Sequence, residues 1–153
     1  MKHNFFLLIL LALFVTPVFA AKMTMPSDAP KSYEAECGSC HLAYPPGLSG
    51  QKNWQSIMSG LSKHFGTDAS IDATTQTEIS QWLTKNAATR QKYSAIAPDN
   101  RITKSSWFIH EHDEVRADIW KRVGIKSAGN CQACHSDAAT GGFSENNIRI
   151  PAK

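Results

Sequence analysis

The sequence predicts a mostly α-helical fold made of two small halves with long loops. Three observations predict it. Apolar residues recur at spacings of three and four in separate stretches, the period of a helix with one buried face. No convincing pair of alternating runs is present, so no sheet is expected. One pentapeptide pattern, Cys-x-x-Cys-His, occurs twice, as Cys37-Gly38-Ser39-Cys40-His41 and Cys131-Gln132-Ala133-Cys134-His135.

Size and charge bound the function classes. At 153 residues the chain holds one domain or two very small ones, which excludes a large multidomain enzyme. Sixteen Lys and Arg against 13 Asp and Glu leave a formal charge of +3. That is too weak for the basic stripe a nucleic-acid partner requires. Nine glycines and seven prolines exclude collagen-like and low-complexity chains.

The elements follow in order. Residues 1–20 read as a signal peptide: Lys2 and His3, an apolar run from Phe5 to Val15, then Thr16, Pro17 and the small-residue end Val18-Phe19-Ala20. Cleavage is expected after Ala20. The rival, an uncleaved anchor, needs an apolar run of about 20 residues without a proline. No cysteine stands directly after the cleavage site, so no lipid attachment is expected; the apolar run is short and ends at a proline, so no stable membrane anchor is expected either, and the mature chain should be periplasmic. Pro26–Lys31 is a polar lead-in, Ser32–His41 a short helix, and Pro45-Pro46-Gly47 a turn suited to offer a carbonyl to the free ring nitrogen of His41. A simple loop breaker is the plainer alternative for that turn.

Asn53–Phe65 reads as one amphipathic helix with Trp54, Ile57, Met58, Leu61, His64 and Phe65 on its stripe. Ala73–Asn86 is another, with Asp72 as its N-cap and Ile79, Trp82 and Leu83 facing inward. Pro98-Asp99-Asn100 marks the boundary between an N-terminal half, residues 21–97, and a C-terminal half, residues 98–153. The second half should hold a helix over Ser106–Arg122, a Gly124/Gly129 connection, a helix carrying Cys131–His135, and a loop-like tail in which Ile148-Arg149-Ile150 is extended.

The chemistry lies in the repeated pentapeptide. Cys-x-x-Cys-His is the attachment signature of c-type haem: two thiols a turn apart add to the two vinyl groups of one porphyrin, and the adjacent imidazole takes the iron as proximal ligand. All four cysteines are used in this way, Cys37 and Cys40 for one haem and Cys131 and Cys134 for the other, with His41 and His135 proximal. The competing readings fail on specifics. A structural zinc site needs its Cys pairs about 15–20 residues apart, whereas Cys40 and Cys131 lie 91 positions apart. Two disulfides leave both histidines unexplained, and a thioredoxin-like motif wants a βαβ setting.

Histidine bookkeeping narrows the iron chemistry. His3 leaves with the signal peptide, so His64, His110 and His112 remain to complete two centres. His64 sits on the apolar stripe of its helix; its ordinary alternative is a core histidine. Met58, on the same stripe, is the runner-up ligand, although such a methionine more often fills a core gap. His110 and His112 lie about 200° apart on a helix. His112 shares a face with Phe108, Val115 and Ile119, while His110 aligns with the solvated Glu114, Ala117 and Lys121. The expected distal ligands are therefore His64 and His112. Twenty-three positions separate His41 from His64, and 23 separate His112 from His135, which suggests local pairing; crossed pairing stays open.

Halves of about 65 residues are marginal on their own cores. A covalently held porphyrin would give each one an apolar plate, with Trp54, Trp82, Trp107 and Trp120 as natural partners. The expected architecture is thus two haem-wrapping halves of c-type cytochrome character. Lys and Arg of the 85–92 and 101–104 runs are candidates to meet haem propionates.

The whole mature chain resembles the dihaem cytochrome c family. The resemblance rests on Glu36–His41 with Tyr44-Pro45-Pro46-Gly47-Leu48, on His64-Phe65-Gly66 with Asp68-Ala69-Ser70, on Glu111-His112-Asp113-Glu114, on Asn130–His135, and on Ile148-Arg149-Ile150-Pro151. It implies a periplasmic electron carrier with two low-potential, bis-histidine haems and other redox proteins as partners. In some members the partner is a small oxygen-binding monohaem cytochrome. The leading expectation is one-electron transfer without catalysis, because two ligands per iron leave no open position. The alternative is a small peroxidase-like haem enzyme or sensor with one five-coordinate haem.

Overall fold

The computed structural model describes residues 23–152; the expected signal peptide lies outside them. No helix among the described residues is long and apolar enough to cross a membrane. The elements are α1 (Lys31–Cys37), α2 (Gln51–Ser59), α3 (Ala73–Asn86), α4 (Gln91–Ser94), α5 (Ser106–Glu111) and α6 (Ala117–Trp120), linked by 3₁₀ turns and loops. No strand forms among the described residues. Backbone pairing outside the helices includes isolated bridges at Gly50–Ala88, His64–Thr67 and His135–Ile148. The mostly helical, loop-rich class is as the sequence predicts.

The longest helix, α3, starts because the Asp72 side chain accepts from the backbone N–H groups of Thr74 and Thr75, each at 3.0 Å. That capping satisfies two donors that a helix start leaves without partners. Ile79, Trp82 and Leu83 then fall on one face and pack against Trp54 and Met58 of α2 and Tyr33 of α1, with Ala43 completing the cluster. The indoles and the phenol are apolar bodies with a polar tip, and each tip finds an acceptor. Trp54 Nε1 donates to the Pro46 carbonyl at 2.8 Å, Trp82 Nε1 to Asp28 at 3.1 Å, and the Tyr33 hydroxyl to the Tyr44 carbonyl at 2.6 Å.

Two expected helices are shorter than the periodicity suggests. The stripe from Asn53 continues only to Ser59; Gly60 caps α2 with a non-helical backbone, and a 3₁₀ turn over Leu61–Lys63 follows. Glycine is the residue that costs a helix most apart from proline, so the break falls where continuation is weakest. The Ser106–Arg122 stretch divides at His112, whose φ of −126° ends α5, and resumes only as the single turn of α6. The first attachment motif begins at the last residue of α1 and continues outside it, and the second begins in a 3₁₀ turn over Cys131–Ala133 in place of the expected helix.

Beyond residue 101 the buried apolar residues among those described are Phe108, Ile125 and Ala138. This part is tied to the rest by Tyr44, whose hydroxyl donates to the Gly129 carbonyl at 2.7 Å, and by the Lys92–Glu111 ion pair. Gly141 supplies a third tie. Its φ is +80°, and a Cβ there would collide with the Met23 carbonyl oxygen, so only glycine lets the Met23–Thr24 backbone lie this close. The tail does extend. Ile148 pairs with His135, and the Arg149 N–H donates to the Cys134 carbonyl at 2.9 Å.

Candidate functional site

The backbone brings the four histidines singled out by sequence together in two local pairs. The ring centroids of His41 and His64 are 6.1 Å apart with planes inclined by 23°. Those of His112 and His135 are also 6.1 Å apart, but their planes cross at 81°. Two metal–imidazole bonds of about 2 Å, plus about 1 Å from each nitrogen to its ring centre, span about 6 Å. Each pair is therefore spaced to clasp one metal atom between two imidazoles.

His41 is oriented by its own neighbour. Its Nδ1 lies 2.7 Å from the Leu42 carbonyl oxygen. A carbonyl can only accept, so Nδ1 carries the proton and Nε2 keeps the lone pair. The carbonyl comes from Leu42, and not from the Pro45–Gly47 turn that the sequence suggests. Tyr44 stacks on the other side of the motif, 5.1 Å from the His41 ring. Burial pushes its hydroxyl up to about 12, which keeps it a donor.

His64 leaves the helical stripe and sits at the head of a tight turn. The Thr67 N–H donates to the His64 carbonyl at 3.0 Å, and Phe65 and Gly66 both have positive φ, 49° and 99°. This is the hairpin geometry in which both central residues are left-handed. Phe65 accepts that strained conformation with its ring 4.7 Å from His64 and the Arg101 guanidinium 4.3 Å above it. Burial, the nearby His41 and the Arg101 charge all hold the His64 pKa below its ordinary value, favouring the neutral imidazole that binds metal.

His112 is fixed from both sides. Its Nδ1 lies 2.9 Å from the Phe108 carbonyl, its ring stacks on Phe108 at 4.1 Å, and Trp120 lies 5.8 Å away. His135 is flanked by Phe143 at 5.4 Å, and burial together with His112 lowers its pKa. His110 is exposed near Asp113, outside either pair. Met58 is buried in the α2–α3 core. Trp54 and Trp82 are spent in the same core, whereas Trp120 stands at the second pair. Of the basic runs, Lys85, Lys92 and Lys104 are paired with Asp28, Glu111 and Asp99, and Arg101 reaches the first histidine pair.

None of the four cysteines forms a disulfide. Burial pushes the Cys37 and Cys131 thiols up to about 11 and raises Cys134. Thiols of that kind are poor thiolates, unlike those of a disulfide oxidoreductase. Among the described residues no group of three or more His, Cys, Asp or Glu could hold a metal ion. The donor set is two imidazoles beside two thiols, which fits an iron whose remaining positions are filled by a macrocycle. Tyr44, Phe108 and Phe143 were not assigned to the site by sequence. The signal available was local, an aromatic within eight residues of an iron-binding candidate.

Residues 33–143 match the family described as dihaem cytochrome c. The chain superposes on the X-ray structure of a dihaem cytochrome type c from Shewanella baltica OS155 with a TM-score of 0.71 and 35% identity, covering 81% of this chain and 96% of that one. A dihaem cytochrome c from Rhodobacter sphaeroides gives 0.67 and 33%, covering 78% and 99%. A crystal structure of DHC purified from the same organism gives 0.66 and 36% over the same shares. Among curated proteins nothing matches the chain.

Proposed function

The chain belongs to the dihaem cytochrome c family and so carries two covalently bound haem c groups, and from that premise we propose that it is a periplasmic one-electron carrier between redox proteins. In this reading Cys37 and Cys40 hold one haem and Cys131 and Cys134 the other. His41 with His64 would hold the iron of the first, and His112 with His135 that of the second. Bound haem supplies the ferric–ferrous couple. The protein holds the imidazoles in place and tunes them. The Leu42 and Phe108 carbonyls accept the Nδ1 protons of His41 and His112, which raises the basicity of Nε2 and favours the ferric state.

The observation that carries this reading is the 6.1 Å separation in both pairs, which supports two imidazoles per iron; iron so held would have no open position for a substrate. Export would follow from the segment 1–20, with cleavage after Ala20. A small oxygen-binding monohaem cytochrome is the partner we propose to test first. The experiment is direct. Purified holoprotein should give a pyridine haemochrome spectrum equivalent to two haems per chain, and its reduced form should show no spectral shift with carbon monoxide. A fast shift would mean an open iron and a haem enzyme or sensor instead.

A further inference from the structure

Tyr44 touches both centres. Its ring stacks on His41 at 5.1 Å, and its hydroxyl donates 2.7 Å to the carbonyl of Gly129, two residues before Cys131. That carbonyl is held on its own side. The Asn130 N–H donates to Ser127 at 3.1 Å, and the Asn130 side-chain amide to the Ile125 carbonyl at 3.1 Å, with Ile125 fully buried. Tyr44 is equally fixed behind, because its own carbonyl accepts the hydroxyl of buried Tyr33, which packs on Trp82 at 4.7 Å. The approach is close: a Cβ at Gly129 would stand 3.3 Å from the Tyr44 hydroxyl, tighter than ordinary packing.

We propose that Tyr44 is the positioning residue that couples the two haem centres, one side chain that packs on the imidazole of the first and holds the backbone presenting the cysteine of the second. The proposal rests on the two-haem reading above. Its consequence is electrostatic and geometric. The charge on one bound iron would act on the other with a strength set by their separation, so a shift in how Gly129 seats Cys131 would change the gap between the two midpoint potentials. A tyrosine that merely satisfied a loop carbonyl would affect stability and nothing else.

The test uses holoprotein with Tyr44→Phe, which keeps the ring and drops the hydroxyl, and Tyr44→Leu, which removes both. Potentiometric titration with parallel EPR reads both centres. Tyr44→Phe should retain two low-spin haems and the first centre's signal, while the second centre's signal moves and the gap between the potentials changes. Tyr44→Leu should shift both signals; if it fails to incorporate haem, Tyr44→Phe alone decides. Wild-type spectra and potentials in Tyr44→Phe, with only a lower unfolding midpoint, would overturn the proposal. Fewer than two haems in the unmodified chain would instead overturn the reading beneath it.

Discussion

Around His41 and His64 the chain has a protein interior of its own, with α2 and α3 packed on Tyr33 and Ala43. Around His112 and His135 the helices are four and six residues long, and Phe108, Trp120 and Phe143 gather on the imidazoles themselves. Helices that short have almost no stability in isolation. The first region can keep its shape by burying leucine, isoleucine and tryptophan against one another. The second has few buried apolar residues of its own, Phe108, Ile125 and Ala138 among those described. The two imidazole pairs differ in the same spirit: equal spacing, but planes inclined by 23° in one and 81° in the other. A haem held at the first pair would add to an existing core, and one held at the second would supply much of what that region lacks.

The largest effect should come from removing attachment. Cys131→Ser with Cys134→Ser, and separately Cys37→Ser with Cys40→Ser, should each halve the haem content. Hydrogen exchange should then show protection lost across residues 105–150 in the first variant, while α2 and α3 stay protected in both. Equal losses in the two variants would break the comparison.

Next is loss of a ligand. His112→Ala should turn one haem high-spin and leave the other unchanged, whereas His110→Ala should leave the spectrum alone. In the ferric protein, aligned imidazoles split the iron π orbitals together and crossed ones cancel, so EPR should resolve two low-spin signals. The more anisotropic one should vanish in His112→Ala. A single averaged signal would deny the difference in plane angle.

Cavity formation ranks third. Ile79 is 0% exposed, and Ile79→Ala should cost about 2–5 kcal/mol in denaturant unfolding of the holoprotein, with both haem signals intact. Ile125→Ala should perturb the second haem's signal as well, because Ile125 supports the loop that leads into Cys131. The smallest effect concerns acid. Donation from Lys85 and then from Trp82 holds the Asp28 carboxyl below its ordinary 3.8. A depressed carboxylate contributes stability above its ordinary pKa and loses it as pH falls through the folded value. Asp28→Asn should therefore flatten the acid limb of the unfolding midpoint slightly, since the ion pair is exposed.

The sequence was most legible where local signals agreed. Asp72, the Ile79–Leu83 spacing and the length of α3 all point to the same helix, and it spans Ala73–Asn86 as expected. It was least legible where a candidate iron-binding histidine follows the end of a helix. Periodicity placed His64 and His112 on apolar stripes; the backbone instead breaks at Gly60 and at His112, and delivers His64 from a turn with a left-handed Phe65. Periodicity describes which side chains share a face, and it has no information about where tertiary contacts make a broken helix worth more than a continuous one. The 23-residue symmetry agrees with which rings lie near each other, His41 with His64 and His112 with His135. The link from Tyr44 to Gly129 escaped because the two are 85 residues apart.

The seat of Met23 and Thr24 against Gly141 imposes an order of events. Residues 23 and 24 come early in the chain, yet they can take this seat only once Gly141, far along it, is in place. The molecule is buckled at that point, and a chain halted before residue 141 would lack the seat for Met23 and Thr24.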